Sequence, residues 1–66
     1  METIDEIFQQ QGLEDIAKHC LRYGKIVEDD SAEFVKGHWR RYVIEIDGKR
    51  IFIMKENGNT TGAAIL

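Results

Sequence analysis

Two dipeptides, Asp47–Gly48 and Asn57–Gly58, constrain this chain more than any other feature of it. A two-residue hairpin turn of type I′ needs positive φ at both central positions, and Asp-Gly and Asn-Gly are the pairs that adopt it most readily. The flanking stretches "HWRRYVIEI", "KRIFIMKE" and "NTTGAAIL" are rich in β-branched and aromatic residues and read as strands. The expectation is a meander of strands at about 39–46, 49–56 and 59–66, with 49–56 in the middle.

A tight turn also fixes register. With Asp47 and Gly48 at the corner, Ile46 faces Lys49, Glu45 faces Arg50, Ile44 faces Ile51, and the ladder continues through Tyr42–Ile53 and Arg40–Lys55 to Trp39–Glu56. Alternation then sorts the side chains between two faces. Tyr42, Ile44, Ile46, Ile51 and Ile53, extended by Ala64 and Leu66, make a core face. The opposite face carries Trp39, Arg41, Val43, Glu45, Arg50, Phe52 and Met54, with Thr61, Ala63 and Ile65 beside them.

Two short helices are expected to cover the core face. Thr3 and Glu6 have the spacing of a capping box, and Ile4, Ile7 and Phe8 follow on one side of a helix. Leu13, Ile16, Ala17, Cys20 and Leu21 repeat the amphipathic pattern. At about 100° per residue the two apolar sets lie nearly opposite one another, so one continuous helix would expose one of them. Gly12 supplies the break, giving helices at about 4–10 and 13–23, and Gly24 suits a left-handed position just past the second. Lys25 to Glu28 reads as a short strand. "DDSAEFVKG" reads as a loop with Phe34 or Val35 tucked under it, which would either fold over the outer sheet face or leave it free.

Sixty-six residues make one domain, 1–66, with a small core. No apolar run approaches the length of a spanning helix, and the acidic start "METIDEIF" lacks the regions of a signal peptide; the expected location is the cytoplasm. One cysteine, Cys20, excludes an intramolecular disulfide and leaves too little thiol for a zinc site. No cofactor or metal is expected. Charge is unevenly placed. Residues 1–35 hold nine acids against Lys18, Arg22 and Lys25, whereas residues 36–55 hold six bases against Glu45 and Asp47. Such asymmetry marks either an interaction surface or two halves that attract each other within the fold.

Two clusters are candidates for function. On the outer face, Trp39, Val43, Phe52, Met54 and Ile65 are expected to form an apolar patch rimmed by Arg41 and Arg50, with residue types enriched in protein interfaces. At one strand end, Arg40 lies beside Lys55, with Lys36, His38 and Arg41 near by and Trp39 and Tyr42 interleaved. That group has the composition of a nucleic-acid contact, although the chain as a whole is acidic. A catalytic reading would take His38, Arg40, Tyr42 and Lys55, with Arg40 or Lys55 stabilising phosphate charge and His38 or Tyr42 moving a proton. His19 and Cys20 are neighbours on a helix and point about 100° apart, which does not make a nucleophile and its base.

The order of two helices ending in "LEDIAKHCLRYGKIVED", then "RRYVIEIDGKRIFIM" and a last strand, resembles the small bacterial domains grouped with RelE- and ParE-type toxins, with Gly24, Ile26 and Glu28 carrying the likeness. The resemblance implies an α+β fold with helices on one side of an antiparallel sheet, and kinship with ribosome-dependent RNA-cleaving toxins. The chain is shorter and more acidic than those toxins. The reading is therefore an α+β domain, two short N-terminal helices on one face of a three- to four-stranded antiparallel sheet. It would act as a non-enzymatic module for a protein partner or for self-association through the Trp39, Arg41, Val43, Arg50, Phe52 and Met54 face. The alternative is an endoribonuclease using the basic strand end.

Overall fold

The computed structural model describes residues 3–66. Both turns form as their residues require. Asp47 and Gly48 have φ of 52° and 72°, and Asn57 and Gly58 have φ of 52° and 84°. They join β2 (Gly37–Ile46), β3 (Lys49–Glu56) and β4 (Asn59–Ile65), preceded by α1 (Ile4–Gln10), α2 (Leu13–Tyr23) and β1 (Lys25–Phe34). The result is an α+β domain with one antiparallel sheet in the order β1-β2-β3-β4. The β2–β3 register runs from Ile46–Lys49 to Trp39–Glu56, as the turn dictates. No helix is long and apolar enough to cross a membrane among the described residues.

The core is built largely from isoleucine, whose branched side chain packs well on a pleated surface. Ile44, Ile46, Ile51 and Ile53 of the sheet meet Ile4 and Ile7 of α1 and Ile16, Ala17 and Cys20 of α2. Thr3 caps α1 by accepting the Glu6 N–H at 3.4 Å. The Ile4 N–H, another donor without a partner inside its helix, goes to Asp47 Oδ2 at 3.0 Å. The Lys49 ammonium pairs with Asp5 beside it. One corner of the hairpin is thereby fastened to the start of α1. At the other end of the sheet, Glu14 of α2 accepts the Thr60 N–H, and that bond holds the Glu14 carboxyl below the usual carboxylate range.

Three expectations are corrected. The stretch after Glu28 is not a loop: β1 runs the full ten residues from Lys25 to Phe34 and pairs with β2 down to Phe34–Gly37. Phe34 is 60% exposed and Val35 wholly so, and neither is tucked under anything. The corner at Val35–Lys36 has no positive-φ residue, so it carries none of the Asn-Gly chemistry that announces the other two. Gly24 is not left-handed; its φ of −90° and ψ of 174° lead straight from α2 into β1. Glycine is needed there for space, because a Cβ would sit 2.3 Å from Ile44 Cγ2 and 2.7 Å from the Cys20 carbonyl.

The third correction concerns β4. Lys55 pairs with Thr60 but Met54 pairs with Gly62, so Thr61 is one extra residue. Such a bulge moves every later side chain to the other face. Ala63 and Ile65, not Ala64 and Leu66, therefore share the face of Ile53 and Ile51, and Ala63 packs against the core.

Replacing Gly24 by alanine should destabilise the domain by about 1–3 kcal/mol, the usual cost of forcing atoms into a filled space. Gly12→Ala, where nothing lies within 4 Å of the new Cβ, should cost no more than about 1 kcal/mol, the difference between glycine and alanine at a helix N-cap. Urea midpoints of the two variants test the contrast.

Candidate functional site

The two clusters drawn from the sequence fall on opposite faces of one sheet. His38, Arg40, Tyr42 and Lys55 share the face that the helices cover near Ile44 and Ile51. Trp39, Arg41, Val43, Arg50, Phe52 and Met54 share the other, with the partners Trp39–Glu56, Arg41–Met54, Val43–Phe52 and Glu45–Arg50. Adjacent basic residues in the chain are thus separated by the thickness of the sheet, and Arg40 and Arg41 do not form one patch.

The Arg40 cluster lies beyond the cover of the helices. Its guanidinium is forked onto Asp29 of β1, Nε to Oδ1 at 3.1 Å and Nη2 to Oδ2 at 2.9 Å, and lies 5.1 Å from the centre of the Tyr42 ring. The same hydrogen bonds hold the Asp29 carboxyl below its ordinary range. Tyr42 is buried, and His38 donates its backbone N–H to Asn57 Oδ1 at 2.9 Å. Arg40 is paired with an intramolecular carboxylate.

On the open face the pattern differs. Arg41 pairs with Asp30 at 2.9 Å and Arg50 with Glu45 at 3.4 Å, while the apolar side chains between them have only each other. Val43 is buried at the centre, flanked by half-buried Phe52 and Met54. Trp39 remains 43% exposed and meets Phe34 edge to face, the ring centres 5.9 Å apart at 71°. Aromatic pairs in this geometry contribute about 0.5–1.5 kcal/mol beyond the area they bury. Asp30, Phe34, Trp39, Arg41 and Met54 line a shallow depression of about 200 Å³. Among the described residues no segment crosses this face, because residues 29–34 lie in the plane of the sheet as β1.

Sequence reasoning missed Phe34 and Asp30, which β1 brings to this face. A signal for them existed. Asp30 and Arg41 stand at equal distances from Val35–Lys36, and Asp29 is diagonal to Arg40 across the same corner, the placement expected of cross-strand ion pairs. Three of the four ion pairs seen among the described residues join an acid of the first half to a base of the second: Asp29–Arg40, Asp30–Arg41 and Asp5–Lys49. The charge asymmetry is thus used within the fold.

Cys20 is buried in the core, and burial pushes its thiol up to about 11. It is a packing residue. Comparison with protein-family models, with curated proteins and with solved structures gives no match. The class that the fold defines is a small α+β domain, two helices on one face of a four-stranded antiparallel meander.

The Asp29 carboxyl should titrate below the unfolded value of about 3.9, and Arg40→Ala should return it upward. Because its folded pKa is depressed, the pair contributes to stability above the unfolded pKa and is lost as pH falls through the folded one. A carboxyl-resolved NMR titration of wild type and Arg40→Ala tests this. Native Cys20 should also react with a thiol reagent at neutral pH at least about 100-fold more slowly than in urea, since burial both raises its pKa and blocks access.

Proposed function

We propose that the chain is a small intracellular, non-enzymatic interaction module that binds a protein partner through the open face of its sheet. The observation that carries this reading is the Phe34–Trp39 pair standing over the depression lined by Met54 and Arg41, on a face that nothing else in the described chain covers. Exposed aromatics with an arginine beside an apolar hollow are the composition of an interface centre, where a few Trp, Tyr and Arg side chains carry most of the binding energy. The ion pairs of Arg41 and Arg50 supply a polar rim. Exposed pairs of this kind add little to folding stability and leave the guanidinium groups free to exchange partners.

The basic strand end supports catalysis less well. Tyr42 is buried, and a ligand of Arg40 would have to displace two Asp29 hydrogen bonds, where Arg41 and Arg50 each give up one.

Replacing Trp39 and Phe52 together by serine should leave the far-ultraviolet spectrum unchanged, since neither belongs to the cluster between sheet and helices. The same change should abolish retention of a partner that the wild-type protein captures and that shields Trp39 from a soluble quencher. Unfolding of the double variant, or capture of the same partner by it, would refute the assignment of this face.

A further inference from the structure

We propose that two copies of this chain pair through the free edge of β4, antiparallel about a twofold axis at Ala64, so that their four-stranded sheets join into one. An open sheet has two edges, and here they differ in kind. The β1 edge carries Glu28, Asp29, Asp30 and Glu33 and a bulge at Val27. Setting two such edges together would oppose acid to acid, and charged, bulged edges are a recognised protection against pairing. From Asn59 to Leu66, by contrast, the sequence contains no charged residue and no proline.

The entrance to β4 is closed. Glu14 takes the outward Thr60 N–H, and the Thr61 bulge interrupts the edge next to it. Beyond the bulge the edge is open. Leu66 donates its N–H to the Arg50 carbonyl at 2.8 Å, so residues 64 and 66 turn their backbone groups toward β3. Antiparallel alternation then turns those of Ala63 and Ile65 outward.

That set of groups is complementary to itself. With Ala64 opposite its own copy, Ala63 faces Ile65 of the second copy and Ile65 faces its Ala63. Each pair exchanges N–H and C=O, giving roughly four backbone hydrogen bonds in the spacing of an antiparallel ladder. The side chains agree with this register. Ile65, 38% exposed, gains Ala63 of the second copy as a neighbour on the helix side. Leu66, 71% exposed, gains Gly62 of the second copy on the open face. No charged side chain of β4 lies along the seam. A second copy is the occupant that this edge fits by register, charge and side-chain size, and the twofold contact is closed, as in most small homodimers. A chain this short also gains from partner-derived stability.

The pairing is edge to edge and leaves the face around Trp39 free, so this inference and the proposed partner site fail separately. Light scattering across micromolar to millimolar protein should give a mass rising to twice 7.6 kDa. Ala64 is exposed, so Ala64→Lys should keep the circular dichroism of wild type. It places two ammonium groups opposite each other and should return the mass to 7.6 kDa. In Ala64→Cys the two Cα atoms would lie about 4.5 Å apart, as in a directly opposed pair without mutual hydrogen bonds, within reach of a disulfide. Mild oxidation should therefore link the dimer through Cys at 64, whereas Ser31→Cys on the β1 edge should not link. A monomer mass at every concentration would overturn the proposal. So would a dimer that survives Ala64→Lys and fails to cross-link as Ala64→Cys. A dimer dissolved by the Trp39 and Phe52 serine variant and untouched by Ala64→Lys would place self-association on the open face and overturn it equally.

Discussion

Asp47 joins the two halves of the molecule. Its backbone takes the positive φ that closes the β2–β3 hairpin, and its carboxylate accepts the Ile4 N–H that opens α1. The first role sets register, and register decides which face every side chain of β2 and β3 occupies. Had the pairing slipped by one residue, Ile51 and Ile53 would point to the face opposite Ile44 and Ile46, and the core would lose half of its sheet side. The second role seats α1 over the face that the first has made apolar. Lys49 and Asp5, paired beside it, reinforce a corner where local turn chemistry and long-range packing agree, the consistency expected of a sequence that specifies one fold.

Away from that corner the molecule thins. Its extents of 41 × 22 × 18 Å reflect a β1–β2 hairpin that runs beyond the cover of the helices. There the sheet is held by its backbone ladder, by the Asp29–Arg40 and Asp30–Arg41 pairs, and by Asn57, which bonds to both backbone groups of His38. Exposed ion pairs contribute little, so this arm belongs to the least stable part of the domain. Surfaces that adapt to partners are drawn from such regions. The Phe34–Trp39 pair sits on this arm, and the placement of the candidate surface follows from how short the two helices are.

Much of this was legible in the residues. The two Gly-containing turns, the complete β2–β3 register, both helix spans and the break at Gly12 follow from local chemistry. The face holding Trp39, Val43, Phe52 and Met54 follows from the same register. β1 was legible only as far as Glu28, because Asp29, Asp30 and Ser31 have low strand propensity and Val35–Lys36 is a corner without a glycine or asparagine signature. Pairing with β2, and with Arg40 and Arg41 in particular, overrides that propensity. The bulge at Thr61 was hidden for a different reason. Nothing in "NTTGAAIL" separates an extra residue from a paired one, and the choice is made by packing: the slip buries Ala63 against the core and leaves Ala64 outside. Gly24 showed the right residue for a reason other than the one its position suggested, since close approach of Ile44, not a left-handed turn, excludes a side chain there.

The central claim is that the open sheet face is bare in the free protein because β1 extends the sheet instead of folding over it. The most direct measurement is solvent paramagnetic relaxation enhancement on the methyl and indole signals of the free protein. The account predicts strong enhancement at the Trp39 indole and the Met54 methyl, with Ile44, Ile51 and Ile53 methyls silent. Protection of Trp39 and Met54 to the level of those isoleucines would show the face to be covered and would contradict it.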